Sequence, residues 1–179
     1  MDVGSINMVS MFRQEYSGLA IFRGLKDSQV RALSPFLDEI TMREGDVIFN
    51  QGDPACCLYI LLEGEVTVRY KPYDGPPLTV ARIQAGEVFG WSSALGREVY
   101  TSNAEAVRDG RAYRICADSL KHLCDRDPES GQVLLERLAD SIAERLCNTN
   151  SSVLELLSQG MDRVGKCSKR SRTNGRKLA

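Results

Sequence analysis

The segment from Phe89 to Ser102 concentrates groups that could bind a small anion. Gly90-Trp-Ser-Ser-Ala-Leu-Gly96 has the composition of one helical turn ended by glycine, inserted between β-rich runs. The first backbone N–H groups of such a turn have no acceptor within it, so they can hold an anion. The candidate ligand-binding residues are Phe89, Gly90, Trp91, Ser92, Ser93, Ala94, Leu95, Arg97, Tyr100, Thr101 and Ser102.

Side chains for catalysis or metal binding are scarce elsewhere in the chain. His122 is the single histidine, and we expect it on the surface of a helix. A Ser-His-Asp or Cys-His arrangement therefore has no second candidate base, and a zinc or iron site lacks ligands at suitable spacing. We expect no catalytic residue and no metal ligand, and therefore a protein that is not an enzyme.

The chain has six cysteines, none of them in a Cys-x-x-Cys pair. The N-terminal segment has no basic start followed by an apolar block, and no apolar run approaches the roughly 20 residues that cross a bilayer. These features predict a cytoplasmic protein with reduced thiols and no membrane contact. Cys56 and Cys57 lie near a strand start, so one should point inward and the other outward, as a weak redox candidate.

Short β-rich runs separated by Gly, Pro and Asp must position these groups. Their number predicts seven or eight short antiparallel strands in a sandwich or roll. The turn Asp109-Gly110 predicts a hairpin between the last two strands. The runs are Asp46–Asn50, Leu58–Leu62, Glu65–Tyr70, Leu78–Ile83, Thr101–Val107 and Arg111–Cys116.

Helical patterns flank the β-rich region on both sides. Met8–Tyr16 predicts a short amphipathic helix, and a second helix begins near Asp27 as N-cap and ends near Pro35. Asp118 predicts the cap of a short helix, and Asp127 the cap of a long one with Pro at its first position. The predicted divisions are N-terminal helices (1–38), a β-roll (39–117), C-terminal helices (118–159) and a basic disordered tail (160–179).

The predicted helix from Pro128 to Gln159 has about 30 residues and a length of about 45 Å, which exceeds what a compact domain needs to cover one face. One interpretation is that its first half packs on the β-roll, and the other is that its second half forms a dimer seam. The tail from Met161 carries seven Lys or Arg and one Asp. We expect a solvated tail, and the alternative is that it touches phosphates nonspecifically.

Two stretches carry a family resemblance. Arg43-Glu-Gly-Asp-Val-Ile-Phe-Asn-Gln-Gly-Asp-Pro54 and Leu58-Tyr-Ile-Leu-Leu-Glu-Gly-Glu-Val-Thr-Val68 place glycines at strand ends, and Gly86-Glu-Val-Phe-Gly90 follows. Together they resemble the cyclic-nucleotide-binding domain of the Crp/Fnr (catabolite activator) type, over roughly Ile21 to Leu157. The resemblance implies a mainly β fold: an antiparallel β-roll or jelly roll (double-stranded β-helix) with N-terminal helices and a long C-terminal helix.

The family's site holds a cyclic nucleotide, cAMP or cGMP, by a short helix N-terminus, an Arg on the phosphate and a Glu on the ribose. The Glu position is Trp91 here and the Arg position is Tyr100, so both charged groups are missing. Arg97 could replace the Arg, and Trp91 could stack on a base or fill the pocket. The Phe89–Leu95 string itself resembles a variant cassette of a bacterial branch of the family.

Two functions follow from the resemblance. One is a sensor or regulatory module whose cassette rearranges and whose long helix transmits the change. The other is a ligand-free interaction module whose pocket is filled by Trp91 and Tyr100. A cupin-type enzyme on a similar roll is disfavoured by the missing metal ligands. The 22 residues after Leu157 are too few for a helix-turn-helix domain, so we expect no specific DNA binding. The expected partners are a second copy, through the helix from Pro128 to Gln159, or another protein.

Overall fold

The computed structural model describes residues 19–147. Three predictions concern residues outside this range: the helix at Met8–Tyr16, the second half of the long C-terminal helix, and the basic tail. Residues 19–141 belong to one compact unit, and the described residues of the second unit, 142–147, are helical.

The β-roll consists of six strands in one sheet, and every pairing is antiparallel. The path through the sheet is β1-β6-β3-β4, while β2 pairs with β6 and β5 pairs with β3. The predicted mainly β fold with flanking helices is confirmed. The strands are β1 (Asp38–Met42), β2 (Val47–Phe49), β3 (Cys57–Tyr70), β4 (Leu78–Ile83), β5 (Val88–Phe89) and β6 (Asn103–Cys116).

The two longest strands, β3 and β6, correct the predicted strand count. Two predicted strands, Leu58–Leu62 and Glu65–Tyr70, are parts of the single 14-residue strand β3. The two runs assigned to a hairpin are likewise parts of a single 14-residue strand, β6. The prediction of a hairpin turn at Asp109-Gly110 is therefore wrong, because Gly110 lies within β6 and pairs with Met42 of β1.

The glycines in these strands allow a close crossing of two backbones instead. A Cβ built at Gly110 would overlap the carbonyl oxygen of Glu63, and one at Gly64 would lie 2.8 Å from the carbonyl oxygen of Asp109. Gly64 also has a φ of +94°, which side chains disfavour. The register shifts at this crossing, as at a β-bulge, where a strand pair bends.

The helices lie at the two ends of the sequence, as predicted, but two caps differ. Helix α1 (Asp27–Leu33) has Lys26 as its N-cap, and a 3₁₀ turn at Ser34–Phe36 follows it around Pro35. Helix α2 (Ala117–Arg126) has Cys116 as its N-cap, so Asp118 lies within its first turn. The predicted cap of the long helix α3, described over residues 128–147, is confirmed, since Asp127 accepts the amide hydrogen of Ser130 at 3.2 Å.

Alternation along β3 separates two apolar clusters. Leu58, Ile60 and Leu62 face a cluster shared with the helices, here called the helix-side core. Tyr59 and Leu61 face the opposite cluster, here called the roll core, which comprises Met42, Phe49, Cys57, Tyr59, Leu61, Val66, Ile83, Phe89, Tyr100, Ala104, Ala106 and Ala112. None of the described helices is long and apolar enough to span a membrane.

Candidate functional site

The predicted helical turn is present between β5 and the isolated bridge that joins Val99 to Pro54. The amide of Leu95 donates to the carbonyl of Trp91 at 3.1 Å, Gly96 to Ser93 at 3.2 Å and Arg97 to Ser92 at 3.0 Å. Gly96 has a φ of +68°, so the turn ends in a Schellman-type cap, at the glycine that the sequence predicted as its end. The amides of Ser92 and Ser93 take no part in these bonds and lie at the start of the turn, where an anion would approach.

Tyr100 follows the turn and points into the roll core. Its side chain is 3% exposed, and its ring stacks on Phe49 with the centroids 3.8 Å apart. The hydroxyl donates to the carbonyl oxygen of Cys57 at 2.6 Å and accepts the amide hydrogen of the same residue at 3.2 Å. Tyr100 is thus held by its hydroxyl, which bonds the backbone at the start of β3, and by its ring, which stacks on Phe49.

The stack around Tyr100 contains three further aromatic rings. Phe49 also stacks with Tyr59 at 5.8 Å and with Phe89 at 6.3 Å, and Tyr59 stacks with Phe89 at 5.1 Å. A Cβ at Gly90 would lie 3.0 Å from ring atoms of both Phe49 and Tyr59, so the backbone of the turn rests directly on the stack. The sequence interpretation missed Phe49 and Tyr59, although both lie in the two stretches that resemble the family.

The ionisation of the stacked tyrosines is suppressed. Burial raises the pKa of Tyr100, and hydrogen bonds from Cys57 and Tyr59 oppose this increase in part. Burial also raises the pKa of Tyr59, with the nearby Tyr100 as the next cause. Both phenols are therefore neutral at physiological pH and serve as hydrogen-bonding groups rather than as acids.

Three ion pairs of the sheet lie on its other face. Glu65 pairs with Arg82 at 3.3 Å and with Arg108 at 3.8 Å, and Arg69 pairs with Glu105 at 3.0 Å. Their sequence neighbours Val66, Ile83, Ala104 and Ala106 belong to the roll core, and strand residues alternate between faces. Arg114 is an exception, because it is the direct register partner of Tyr59 and therefore lies on the roll-core face. Its guanidinium is engaged by the carboxylate of Asp38.

The structure distributes the remaining predicted residues between the interior and the surface. Phe89 is 1% exposed, Ser92 and Ser93 are buried, and Trp91, Gly90 and Ser102 are partly buried. Ala94, Leu95, Arg97 and Thr101 are exposed, and no described residue forms an ion pair with Arg97. The predicted set is therefore brought together only in part, around Phe89, Gly90 and Tyr100.

Two predictions about isolated side chains are confirmed by the structure. His122 is exposed on α2, and Cys56 is exposed whereas Cys57 is buried. Among the described residues, no group of three or more His, Cys, Asp or Glu side chains is placed to hold a metal ion.

Comparison with known proteins assigns this arrangement to a family. Residues 39–127 match the family model described as "Cyclic nucleotide-binding domain". The chain is 28% identical over 137 residues to the CRP-like cAMP-activated global transcriptional regulator of Mycobacterium tuberculosis, which covers 76% of this chain and 59% of that protein. The chain thus spans about three fifths of that relative's length.

Two solved structures are similar at comparable identity. The catabolite activator protein of Thermus thermophilus is 30% identical with a TM-score of 0.63, over 78% of this chain and 63% of that chain. The N-terminal domain of a transcriptional regulator from Streptomyces coelicolor is 27% identical with a TM-score of 0.59, over 74% of this chain and 91% of that chain.

Proposed function

Because residues 39–127 form a cyclic nucleotide-binding domain of the Crp/Fnr type, we propose that this chain is a regulatory module that works without binding cAMP or cGMP. The observation that carries the proposal is Tyr100, which occupies the position of the family's phosphate-binding Arg and is 3% exposed. Its stacking on Phe49 and its two hydrogen bonds to Cys57 hold it inside the roll. The module's own aromatic rings thereby take the place of a ligand.

The energetic argument starts from the two charged groups that the family uses. Charge-assisted hydrogen bonds contribute about 1.5–3 kcal/mol each. Replacing the Glu by Trp91 and the Arg by Tyr100 removes both, and a loss of about 3 kcal/mol or more corresponds to roughly 100-fold weaker binding at 1.4 kcal/mol per tenfold. The charged pairs around Glu65 and Arg69 lie on the outer face and do not compensate.

A ligand would also have to displace the stack. The rings of Phe49, Tyr59, Phe89 and Tyr100 are each 7% exposed or less, so they are packed against one another and not against solvent. Moving Tyr100 would break both of its hydrogen bonds and would leave the amide and carbonyl of Cys57 without the partner they have in the roll. A nucleotide would therefore have to offset this cost in addition to its own desolvation.

Titration with cAMP and cGMP up to millimolar concentration tests the proposal. Trp91 is the single tryptophan and lies in the cassette turn, so its fluorescence reports on any ligand bound there. We expect neither saturable heat in calorimetry nor a change in Trp91 emission. The variant Trp91→Phe supplies the background signal. Saturable binding at micromolar concentration, with a Trp91 response that the variant lacks, would overturn the proposal.

A second candidate is a sensor of a cyclic nucleotide or another small anion. The amides of Ser92 and Ser93 at the start of the capped turn favour it, as does the similarity to a regulator named as cAMP-activated. In this case the anion would be held by backbone donors, with Arg97 recruited from the surface. The same titration distinguishes the two candidates, because an Arg97→Ala variant would then lose affinity whereas the first proposal expects no binding to lose.

For the partner, we propose a second copy of the chain, docked along α3. Leu134 and Leu138 of this helix are buried in the helix-side core, whereas Leu135 is 44% exposed. A second copy docked along α3 would cover the exposed side chain of Leu135. Sedimentation measures the mass of the wild type and of Leu135→Glu in solution. A monomeric mass for both would contradict the proposed dimer.

We also propose a cytoplasmic location and a non-enzymatic role, both supported by the similarity to transcriptional regulators.

A further inference from the structure

Two thiols meet where the longest strands of the roll begin and end. Cys57 is the first residue of β3, Cys116 is the last residue of β6, and they are direct partners in the antiparallel register. Their Sγ atoms lie 2.8 Å apart. Both side chains belong to the roll-core side of the sheet, Cys57 as a buried member and Cys116 as a partly buried neighbour.

The hydrogen bonding of the strands shows what kind of pair this is. The amide of Ala117 donates to the carbonyl of Cys56 at 2.9 Å, so these two residues are a hydrogen-bonded pair. Pairs alternate along antiparallel strands, and Cys57 and Cys116 are therefore a non-hydrogen-bonded pair, with Cα atoms typically about 4.5 Å apart. That spacing is at the short end of the range of about 4.4–6.8 Å that a disulfide spans.

We propose that Cys57 and Cys116 form a reversible cross-strand disulfide that acts as a redox switch of this module, with a low-molecular-weight disulfide as the oxidant. The strands need not separate for the bond to form. Because the spacing lies at the edge of the accessible range, the bond is constrained, and constrained disulfides are reduced more easily than structural ones. The pair can therefore return to thiols in a reducing compartment.

The reaction proceeds by two successive exchanges. The thiolate of Cys116 attacks one sulfur of the small disulfide, forms a mixed disulfide and releases one small thiol. Cys57 then attacks the Cys116 sulfur and releases the second small thiol, and each departing thiolate takes up the proton of the cysteine that displaced it. The protein loses two protons and two electrons, and the small disulfide takes them up to become two thiols.

Exposure assigns the order of these steps. Cys116 is partly exposed and can meet the oxidant, whereas Cys57 is buried. Burial and the adjacent Cys116 raise the pKa of the Cys57 thiol, which makes Cys57 a poor nucleophile toward solutes. Once Cys116 carries the mixed disulfide, the neighbouring charge is gone and the two sulfurs are already in contact, so the second step is intramolecular and fast.

The position of the pair connects it to the rest of the module. The amide and carbonyl of Cys57 bond to the hydroxyl of Tyr100, whose ring stacks on Phe49, and the ring of Phe49 in turn lies against Gly90 of the turn. Cys116 is the N-cap residue of α2, which leads to α3. The disulfide would fix these two places relative to each other, and oxidation could thereby control the C-terminal helices in the absence of a nucleotide.

Peptide mapping of the full chain after treatment with oxidised glutathione tests the proposal. Tryptic cleavage after Arg43 and Arg69 and after Arg114 and Lys121 separates the two cysteines onto different peptides. We expect the oxidised protein to run as a monomer on a non-reducing gel. Its peptides 44–69 and 115–121 should be linked, and reduced glutathione should break the link. Since peptide 44–69 also holds Cys56, the link must persist in Cys56→Ser and vanish in Cys57→Ser.

Each other result contradicts the proposal. A link that is lost in Cys56→Ser but kept in Cys57→Ser would assign the bond to the exposed thiol. Stable glutathionylation of Cys116 without a link would show that Cys57 cannot complete the exchange. The wild-type mapping does not depend on how well any variant folds. Hydrogen exchange supplies the functional readout: oxidation should slow exchange at the first turn of α2, and unchanged exchange there would refute the switch.

Discussion

Removing one oxygen atom from Tyr100 should destabilise the module measurably. In Tyr100→Phe the ring keeps its volume and its stacking on Phe49, 3.8 Å away, but the two hydrogen bonds to Cys57 at 2.6 and 3.2 Å are lost. Tyr100 is 3% exposed, so water does not readily replace the lost hydroxyl. A buried polar group left without a partner costs about 1–3 kcal/mol.

We expect the free energy of unfolding to fall by about 2 kcal/mol, since two backbone groups are affected but relaxation recovers part of the loss. For a protein of this size the melting temperature should fall by about 4–8 °C. Urea unfolding with Trp91 fluorescence and thermal melting by circular dichroism measure both quantities, under reducing conditions that keep Cys57 and Cys116 apart. Tyr73→Phe is the matched control, because Tyr73 is fully exposed.

The reasoning is refuted if Tyr100→Phe and Tyr73→Phe both lie within about 0.5 kcal/mol of the wild type, which is the range of ordinary surface substitutions. Alkaline pH gives an internal check. The pKa of Tyr100 is raised by burial from its ordinary value of 10.0, so its stabilising effect is complete below pH 10.0 and is lost as the pH rises through the folded-state pKa. The stability difference between wild type and Tyr100→Phe should therefore narrow above pH 10.0.

Two further perturbations test the fold around the site. Gly110→Ala should cost about 1–3 kcal/mol, because its Cβ would overlap the carbonyl oxygen of Glu63, whereas Gly75→Ala in a loop should cost much less by the same urea titration. Asp127→Asn should keep the cap on the amide of Ser130 but remove its pH dependence. Hydrogen bonds from Ser130 lower the pKa of Asp127, so wild-type stability should fall more steeply than that of the variant below the ordinary value of 3.8, and parallel acid titrations would contradict this.

Local features of the chain were predicted well because their cause is local. Glycines at strand ends, the turn from Trp91 to Gly96 and the cap at Asp127 depend on residues three to five positions apart. The backbone preferences of neighbouring residues determine such features without any tertiary contact, so a short stretch of sequence is sufficient to predict them. Strand alternation likewise predicted that one of Cys56 and Cys57 points inward and the other outward, and the structure shows that Cys57 is the buried one.

The prediction of a hairpin was wrong because a glycine in a β-rich sequence can either form a tight turn or allow two strands to cross closely. Asp109-Gly110 has the composition of a tight turn, and nothing nearby in the sequence distinguishes it from a crossing of two long strands. The partner of that crossing is Gly64, far away in the chain. Only the assembled sheet places Gly64 and Gly110 against each other. A side chain at either position would clash with the backbone of the other strand, which explains why both residues are glycine.

The sequence by itself determined the family, the roll with its flanking helices, and the absence of the family's Glu and Arg from positions 91 and 100. Only the tertiary structure decided what replaced them. Tyr100 could have pointed to solvent, but the space between β2, β3 and β5 accepts its ring against Phe49. Likewise, the contact of Cys57 with Cys116 depends on the register of strands whose pairing residues are 59 positions apart. Register is fixed by the packing of a whole sheet face, and a short stretch of sequence does not contain that information.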